Sequence, residues 1–211
     1  TNTFLKGMKS CEDDTIVVAV ADYQTAGRGQ GTHTWESEPG KNLLFSLLTC
    51  PTWVPVRQQF LLSEAGALAV KDALDTYTDG ITLKWHNDVY WNDRKISGTL
   101  IETSIDSNGI KRCIFGIGVN INQMEFHSDA PNPVSLAQIL GQEVDRDEVL
   151  QKIIEAFKKY YDLLRRADYM DVSGIYHLSL YRRKGFHRYE DADGEFEGAF
   201  VEVEDDGHLI L

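Results

Sequence analysis

The 211-residue chain predicts an α+β fold in which a mixed, mostly antiparallel sheet is backed by helices. Three patterns carry that expectation. Apolar and polar residues alternate over 81–88 and again over 115–122, the period of strands with one buried face. Ser107-Asn108-Gly109 separates two such runs as a hairpin turn. Residues 58–77 and 146–167 instead repeat their apolar positions at helical spacing.

In chain order, a strand over 15–25 enters a glycine loop, and a second strand over 42–49 is ended by Pro51, which has no N–H for a ladder. Phe60, Leu61, Ala65, Leu68, Val70 and Leu74 fall mostly on one side of the 58–77 helix. Strands follow at 81–91, 96–105 and 111–122. In the first, Ile81, Leu83, Trp85 and Asn87 share one face while Thr82, Lys84, His86 and Asp88 share the other. The turn-forming run 92–95 then places Lys95 at the start of the next strand. The 123–134 stretch, rich in Asp, Pro and Asn, reads as loop. Asp145 is placed to cap the helix over 146–167, whose Val149, Ile153, Phe157, Tyr160 and Leu164 form a core stripe. From about Tyr181 the pattern changes to short strands with turns at 191–194 and 205–207.

Two segments carry chemistry. QTAGRGQ at 24–30 sets Arg28 between glycines, whose backbone comes close enough to an anion to offer N–H groups. The guanidinium adds a forked, permanent charge suited to phosphate or carboxylate. Lys95, in KWHNDVYWNDRKISG at 84–98, supplies a movable point charge. In FGIGVNIN at 115–122, Phe115, Ile117, Val119 and Ile121 face one way, and Gly116, Gly118, Asn120 and Asn122 the other. Two glycines weaken a strand interior, so they are expected where a ligand or another backbone lies on the sheet. A helix packed on those glycines is the competing reading.

These motifs, with Trp35, GKNLLFSL at 40–47 and KWHNDVYWNDRKISGTLIE at 84–102, resemble the catalytic domain of biotin protein ligases, also called biotin–acetyl-CoA-carboxylase ligases. Their order and spacing match over almost the whole chain, and Thr1-Asn2 is similar to the end of a Ser-Thr-Asn biotin-contact motif. The resemblance implies a class II synthetase-like catalytic domain over 1–178 and a small SH3-like β-barrel over 179–211, lacking its last strands. It implies activation of biotin by ATP to biotinyl-5′-adenylate, then transfer to one lysine of a biotin carboxyl carrier protein domain. An open alternative is a lipoate or octanoate ligase or transferase of the same architecture, and a third is a binding module that has lost activation.

By the same resemblance, Lys95 and Arg28 are catalytic. Thr1, Asn2, Gln24, Gly27, Gly29, Gln30, Gly98, Gly116 and Gly118 join them on the biotin side. Trp35, Lys84, Asn87, Asp88 and Asn120 are expected on the nucleotide side. Mg²⁺ is expected on the ATP phosphates, with Asp88 as its candidate protein ligand. The 123–134 loop belongs to a lid that orders over the adenylate. One departure is Gln30, where many relatives carry a second arginine, so retention of the adenylate is expected to be looser. Another is Gly31, where the family tends to place its glycine near Thr32.

With 42% hydrophobic residues, a chain of this length buries about 70% of its unfolded surface. Lys+Arg 21 against Asp+Glu 33 leaves −12, which argues against nucleic acid or anionic membrane as partner and makes Arg28, Lys84 and Lys95 the local draw for ATP. Cys11, Cys50 and Cys113 show no ligand spacing with the histidines and are expected as reduced thiols in the cytoplasm. No signal peptide or apolar run of about 18–20 residues appears. No helix-turn-helix precedes the catalytic motifs, so a DNA-binding form is not expected. The oligomeric state stays open, since relatives dimerise edge to edge through the sheet.

Overall fold

The computed structural model describes residues 1–8, 15–31, 33–127 and 130–211, so Cys11 and Thr32 lie outside the described residues. The elements are α1 (Asn2–Lys6), β1 (Val17–Ala21), β2 (Leu43–Thr49), α2 (Phe60–Asp75), β3 (Ile81–Lys84), β4 (Asp88–Trp91), β5 (Arg94–Asp106), β6 (Gly109–Val119), α3 (Leu136–Leu140), α4 (Arg146–Arg165), α5 (Tyr169–Leu178), β7 (Phe186–Asp191), β8 (Gly194–Ala199), β9 (Glu202–Val203) and β10 (Leu209–Ile210). A single 3₁₀ turn, Val56–Gln58, leads into α2.

Six strands form one sheet in the order β1-β2-β6-β5-β4-β3. Every pairing in it is antiparallel, so the expected mixed sheet is corrected to an antiparallel one. The cause is local: β3 to β6 run as a meander of tight hairpins, which can only pair antiparallel. The expected strand over 81–91 is likewise divided. Residues 85–87 turn the chain back so that Ile81 faces Trp91 and Lys84 faces Asp88. The alternation continues unbroken through that turn, which is why it reads as one strand; the Trp85–His86 peptide is cis.

The two faces of the sheet are used differently. Phe45 and Leu47 of β2 and Phe115, Ile117 and Val119 of β6 point to the helix side, into a core with Leu62, Ala65, Leu68 and Ala69 of α2. Gly66 lets that helix approach closely, because a Cβ there would lie 3.1 Å from the Phe115 ring. Phe157 of α4 meets the same ring edge-on at 5.1 Å. Asp145 caps α4 as expected, accepting from the Asp147 and Glu148 amides at 2.8 and 3.4 Å. On the opposite face, short α1 covers one corner through Leu5, Leu48 and Ile114. The remainder of that face carries Leu44, Ser46, Gly98, Gly116 and Gly118.

The C-terminal strands form two separate pairs, β7 with β8 and β9 with β10. No closed barrel is found among the described residues, because no ladder joins the two pairs. Val203 of β9 is instead buried in the main core, with Phe200 and Leu209 packed against it. Cys113 is buried and free, whereas Cys50 is disulfide-bonded, which corrects the expectation of reduced thiols at that position. Among the described residues no helix is long and apolar enough to cross a membrane.

Glu64 of α2 is 3% exposed, with Oε1 3.4 Å from the Ser173 hydroxyl and Oε2 unpartnered among the described residues. Burial pushes its carboxyl up to about 8; the Ser173 hydrogen bond opposes this and the Asp205 charge adds to it. The folded state therefore binds a proton that the unfolded chain gives up near 4.5, the ordinary value. Stability is highest below that value and declines as pH rises through about 8. Glu64→Gln should remove this part of the decline. Urea unfolding at pH 5 and pH 8.5 checks it: a pH dependence as steep in the variant as in the parent would contradict the assignment.

Candidate active site

Gly98 of β5 pairs directly with Gly118 of β6, and Gly116 lies two residues along the same strand. Together they make a strip of bare backbone on the face away from the helices. A Cβ on Gly116 would strike the Asn2 amide, and one on Gly118 would strike the Trp35 indole. At Gly98 a Cβ would meet Trp35, Lys95 and Asp88 at 3.1, 3.2 and 3.3 Å. The strip is the floor of a cavity of ≈ 940 Å³.

The glycine loop stands over this floor as a small hairpin. Arg28 bridges to Thr34, Gly29 N–H donates to His33 O at 2.7 Å, and Trp35 N–H donates to Gly27 O at 3.0 Å. Gly31 takes φ +61 at its tip, a backbone region that favours glycine. Gly27 packs closely against the Trp35 carbonyl, where a Cβ would collide with it. Its neighbours Gln24, Arg28, Gly29 and Gln30 line the cavity.

At one end, Ser46 Oγ lies 2.5 Å from both Thr1 Oγ1 and Asn2 Oδ1, while Asn2 Nδ2 donates to Glu102 at 2.9 Å. Lys6 also reaches Glu102 at 2.7 Å, and Arg28 stands 4.0 Å from it. Burial raises the Glu102 carboxyl, but the Lys6 and Asn2 hydrogen bonds with the Lys6 and Arg28 charges outweigh it and hold the group below the usual range. Glu102 thus anchors Asn2 and the arginine hairpin together. The sequence reading gave Glu102 no role, although it closes the 84–102 motif, because its partners Asn2, Lys6 and Arg28 are distant in the chain.

At the other end, Lys95 Nζ forms a 2.7 Å ion pair with Asp88 Oδ2, both side chains being about three-quarters covered. Lys84 Nζ donates to the Tyr90 hydroxyl at 3.1 Å, and Asn87 Nδ2 donates to the Thr99 carbonyl. These contacts hold the 85–87 turn against β5, and Asn120 is buried beside them in the cavity wall. His86, in the same turn, is held below its ordinary value by burial, partly offset by Asp88. Trp35 stands on Gly118 and Gly98, between the two ends.

Several lining groups are buried without a partner among the described residues: Trp35 Nε1, His86 Nε2 and Thr99 Oγ1. Buried polar atoms are normally paired, so unspent capacity gathered around one cavity points to a ligand. Trp85, from the alternating 81–88 run, also lines it, as do Tyr23 and Phe126, which no periodicity or motif marks in the sequence. Asp88 can offer a metal only the oxygen that Lys95 does not hold. The one group of three potential ligands among the described residues, Glu204, Asp206 and His208, is exposed and outside the cavity.

Bare backbone below, the Arg28 guanidinium on its hairpin above and an ammonium–carboxylate pair at one end give the cavity the shape and charge to suit a flat anionic ligand. The family model described as biotin/lipoate A/B protein ligase matches residues 1–122, and the chain belongs to that family. The chain is 30% identical over 203 residues to the bifunctional ligase/repressor of Bacillus subtilis, covering 92% of this chain and 61% of the relative. The biotin–[acetyl-CoA-carboxylase] ligase of Paracoccus denitrificans is 29% identical over 199 residues, covering 91% and 82%. A solved biotin protein ligase from Aquifex aeolicus, in complex with biotin and ATP, shares 28% identity and a TM-score of 0.81, covering 98% of this chain and 85% of that one.

The floor makes a direct prediction. Gly118→Ala should push the Trp35 indole from its seat and change the tryptophan fluorescence. Gly174→Ala, where nothing lies within 4 Å of the new methyl in α5, should leave fluorescence unchanged and gain roughly 0.5–1 kcal/mol. Identical spectra for parent and Gly118→Ala would contradict the close approach.

Proposed function

We propose that this chain activates biotin with ATP to biotinyl-5′-adenylate and passes the biotinyl group to a lysine of a biotin carboxyl carrier protein domain. The observation that carries the reading is the glycine floor bounded by the Lys95–Asp88 pair, in a chain whose relatives bear biotin ligase names.

In the first step a carboxylate oxygen of biotin attacks the α-phosphate and pyrophosphate leaves. Two anions must meet, so the cavity must supply positive charge at their junction. Lys95 is placed for that role, because Asp88 keeps its ammonium fixed at the edge of the floor; Arg28, on its hairpin, closes from above. Gln30 donates hydrogen bonds there without adding charge. In the second step the acceptor's lysine amine attacks the carbonyl of the mixed anhydride, an amide forms, and AMP leaves with the electron pair of the broken bond. Water would destroy the same anhydride, so the hairpin and the 123–134 loop act as covers. His127 N–H donates to both Glu36 oxygens at 3.0 Å, tying the two covers together.

Mg²⁺ fits as an ion carried by the nucleotide phosphates, with Asp88 supplying at most one protein oxygen, as is usual for this ion. It would neutralise phosphate charge during the first step. We further infer a catalytic unit over 1–178 with the strands beyond it as an SH3-like unit, and pairing of two copies through the β1 edge of the sheet.

Biotin-dependent exchange of pyrophosphate into ATP tests the reading, with octanoate and lipoate as competitors. Exchange with biotin alone is expected; exchange with the fatty acids alone would support a lipoyl enzyme, and none would support a binding module. Lys95→Ala should reduce exchange by roughly 10²–10³-fold while biotin still binds. Near-normal exchange in that variant would remove Lys95 from the chemistry.

A further inference from the structure

In a chain carrying −12, one short stretch is basic: Arg182, Arg183, Lys184 and Arg188 fall within 182–188. None of the four joins an ion pair among the described residues. Arg182 Nη1 donates to Arg188 O at 3.1 Å, and its guanidinium lies 5.1 Å from the Tyr181 ring, so the loop is held by its own contacts and its charge is left unneutralised. Arg182, Arg183 and Lys184 line a second cleft of ≈ 590 Å³ together with Leu180, Tyr181 and Asp93. Two large apolar side chains flank it, Leu178 at 67% and Phe186 at 76% exposure. Unpaired arginine beside exposed aromatic and aliphatic groups is the composition of a protein-binding surface.

Its position relates it to the active cavity, because the two clefts share the β4–β5 hairpin as a wall. Asp93 faces the basic cleft, where the Tyr181 hydroxyl donates to it at 2.6 Å. Lys95, two residues on, faces the active cavity, about 7 Å away at the rise of a strand. On the neighbouring strand, Tyr90 lines the active cavity and its ring centroid lies 5.4 Å from that of Tyr181. A protein resting on the basic patch would therefore stand beside the Lys95 end of the active cavity.

We propose that this patch docks the acceptor protein by an acidic face flanking its target lysine, with Leu178 and Phe186 as apolar anchors. The inference rests on the ligase reading. The patch gives no atom to the reaction; it raises the local concentration of the acceptor and sets the direction from which the amine arrives. Nucleic acid is the other polyanion such cations attract, but the overall −12 charge opposes a long phosphate backbone.

The test separates the two half-reactions in the full chain. With Arg183→Glu and Lys184→Glu combined, biotin-dependent pyrophosphate exchange should stay within about two-fold, because neither residue lines the active cavity, while the KM for an acidic carrier domain rises about 10-fold or more. The gap should shrink as salt is raised. Phe186→Ala, which leaves every charge in place, should raise the acceptor KM without altering the salt dependence. An unchanged acceptor KM in both variants, or an equal loss of exchange and transfer, would overturn the proposal. So would a wild-type protein that binds a DNA oligonucleotide through these residues while the variants transfer biotin normally. If the wild type shows no biotin-dependent exchange, the ligase reading fails and this inference with it; an active wild type with unaltered acceptor KM defeats only the docking surface.

Discussion

The rest of the structure depends on the absence of three Cβ atoms. Gly98, Gly116 and Gly118 leave the β5–β6 ladder bare on one face, so that Trp35 and Asn2 rest on main chain instead of side chain. Each glycine weakens a strand by roughly 0.5–1 kcal/mol relative to alanine. The fold offsets this on the reverse face, where Phe115, Ile117 and Val119 are buried against α2, and through the length of the pairing between Arg94–Asp106 and Gly109–Val119. One strand thus does two opposed jobs on alternate residues: apolar packing toward the helices and presentation of bare backbone toward the cavity.

Charge is organised on the same economy of position. The molecule is acidic overall, and two cations of the cavity stand beside an acidic partner, Lys95 on Asp88 and Arg28 near Glu102, while Lys84 is held by the Tyr90 hydroxyl. An anion entering the cavity meets ammonium and guanidinium groups already fixed in place, so less reorganisation is needed when charge moves during a reaction. Glu102 also receives Asn2 and Lys6, which links the amino-terminal helix to the arginine hairpin. A disturbance at either is therefore felt at the other.

Much of this was legible in the sequence because period and motif coincide. The alternation over 115–122 separates floor from core, the Asp145 cap and apolar stripe define α4, and the turn before Lys95 places it at a strand end. What was not legible had physical reasons. Trp85–Asn87 reverses the chain without interrupting the alternation, so two strands read as one. The close approach of Gly27 to the Trp35 carbonyl joins residues that no spacing rule pairs. Glu102 and the unpartnered Thr99 hydroxyl gain meaning only from residues distant in the chain. The five-residue helices α1 and α3 are too short for periodicity to mark them.

The most direct test of the central claim is a crystal structure with biotin and a non-hydrolysable ATP analogue bound together. The bicyclic ring should lie against the main chain of Gly98, Gly116 and Gly118, with its carboxylate and the α-phosphate meeting beside Lys95. Both ligands bound elsewhere, with the glycine strip still covered by protein side chains, would contradict the account.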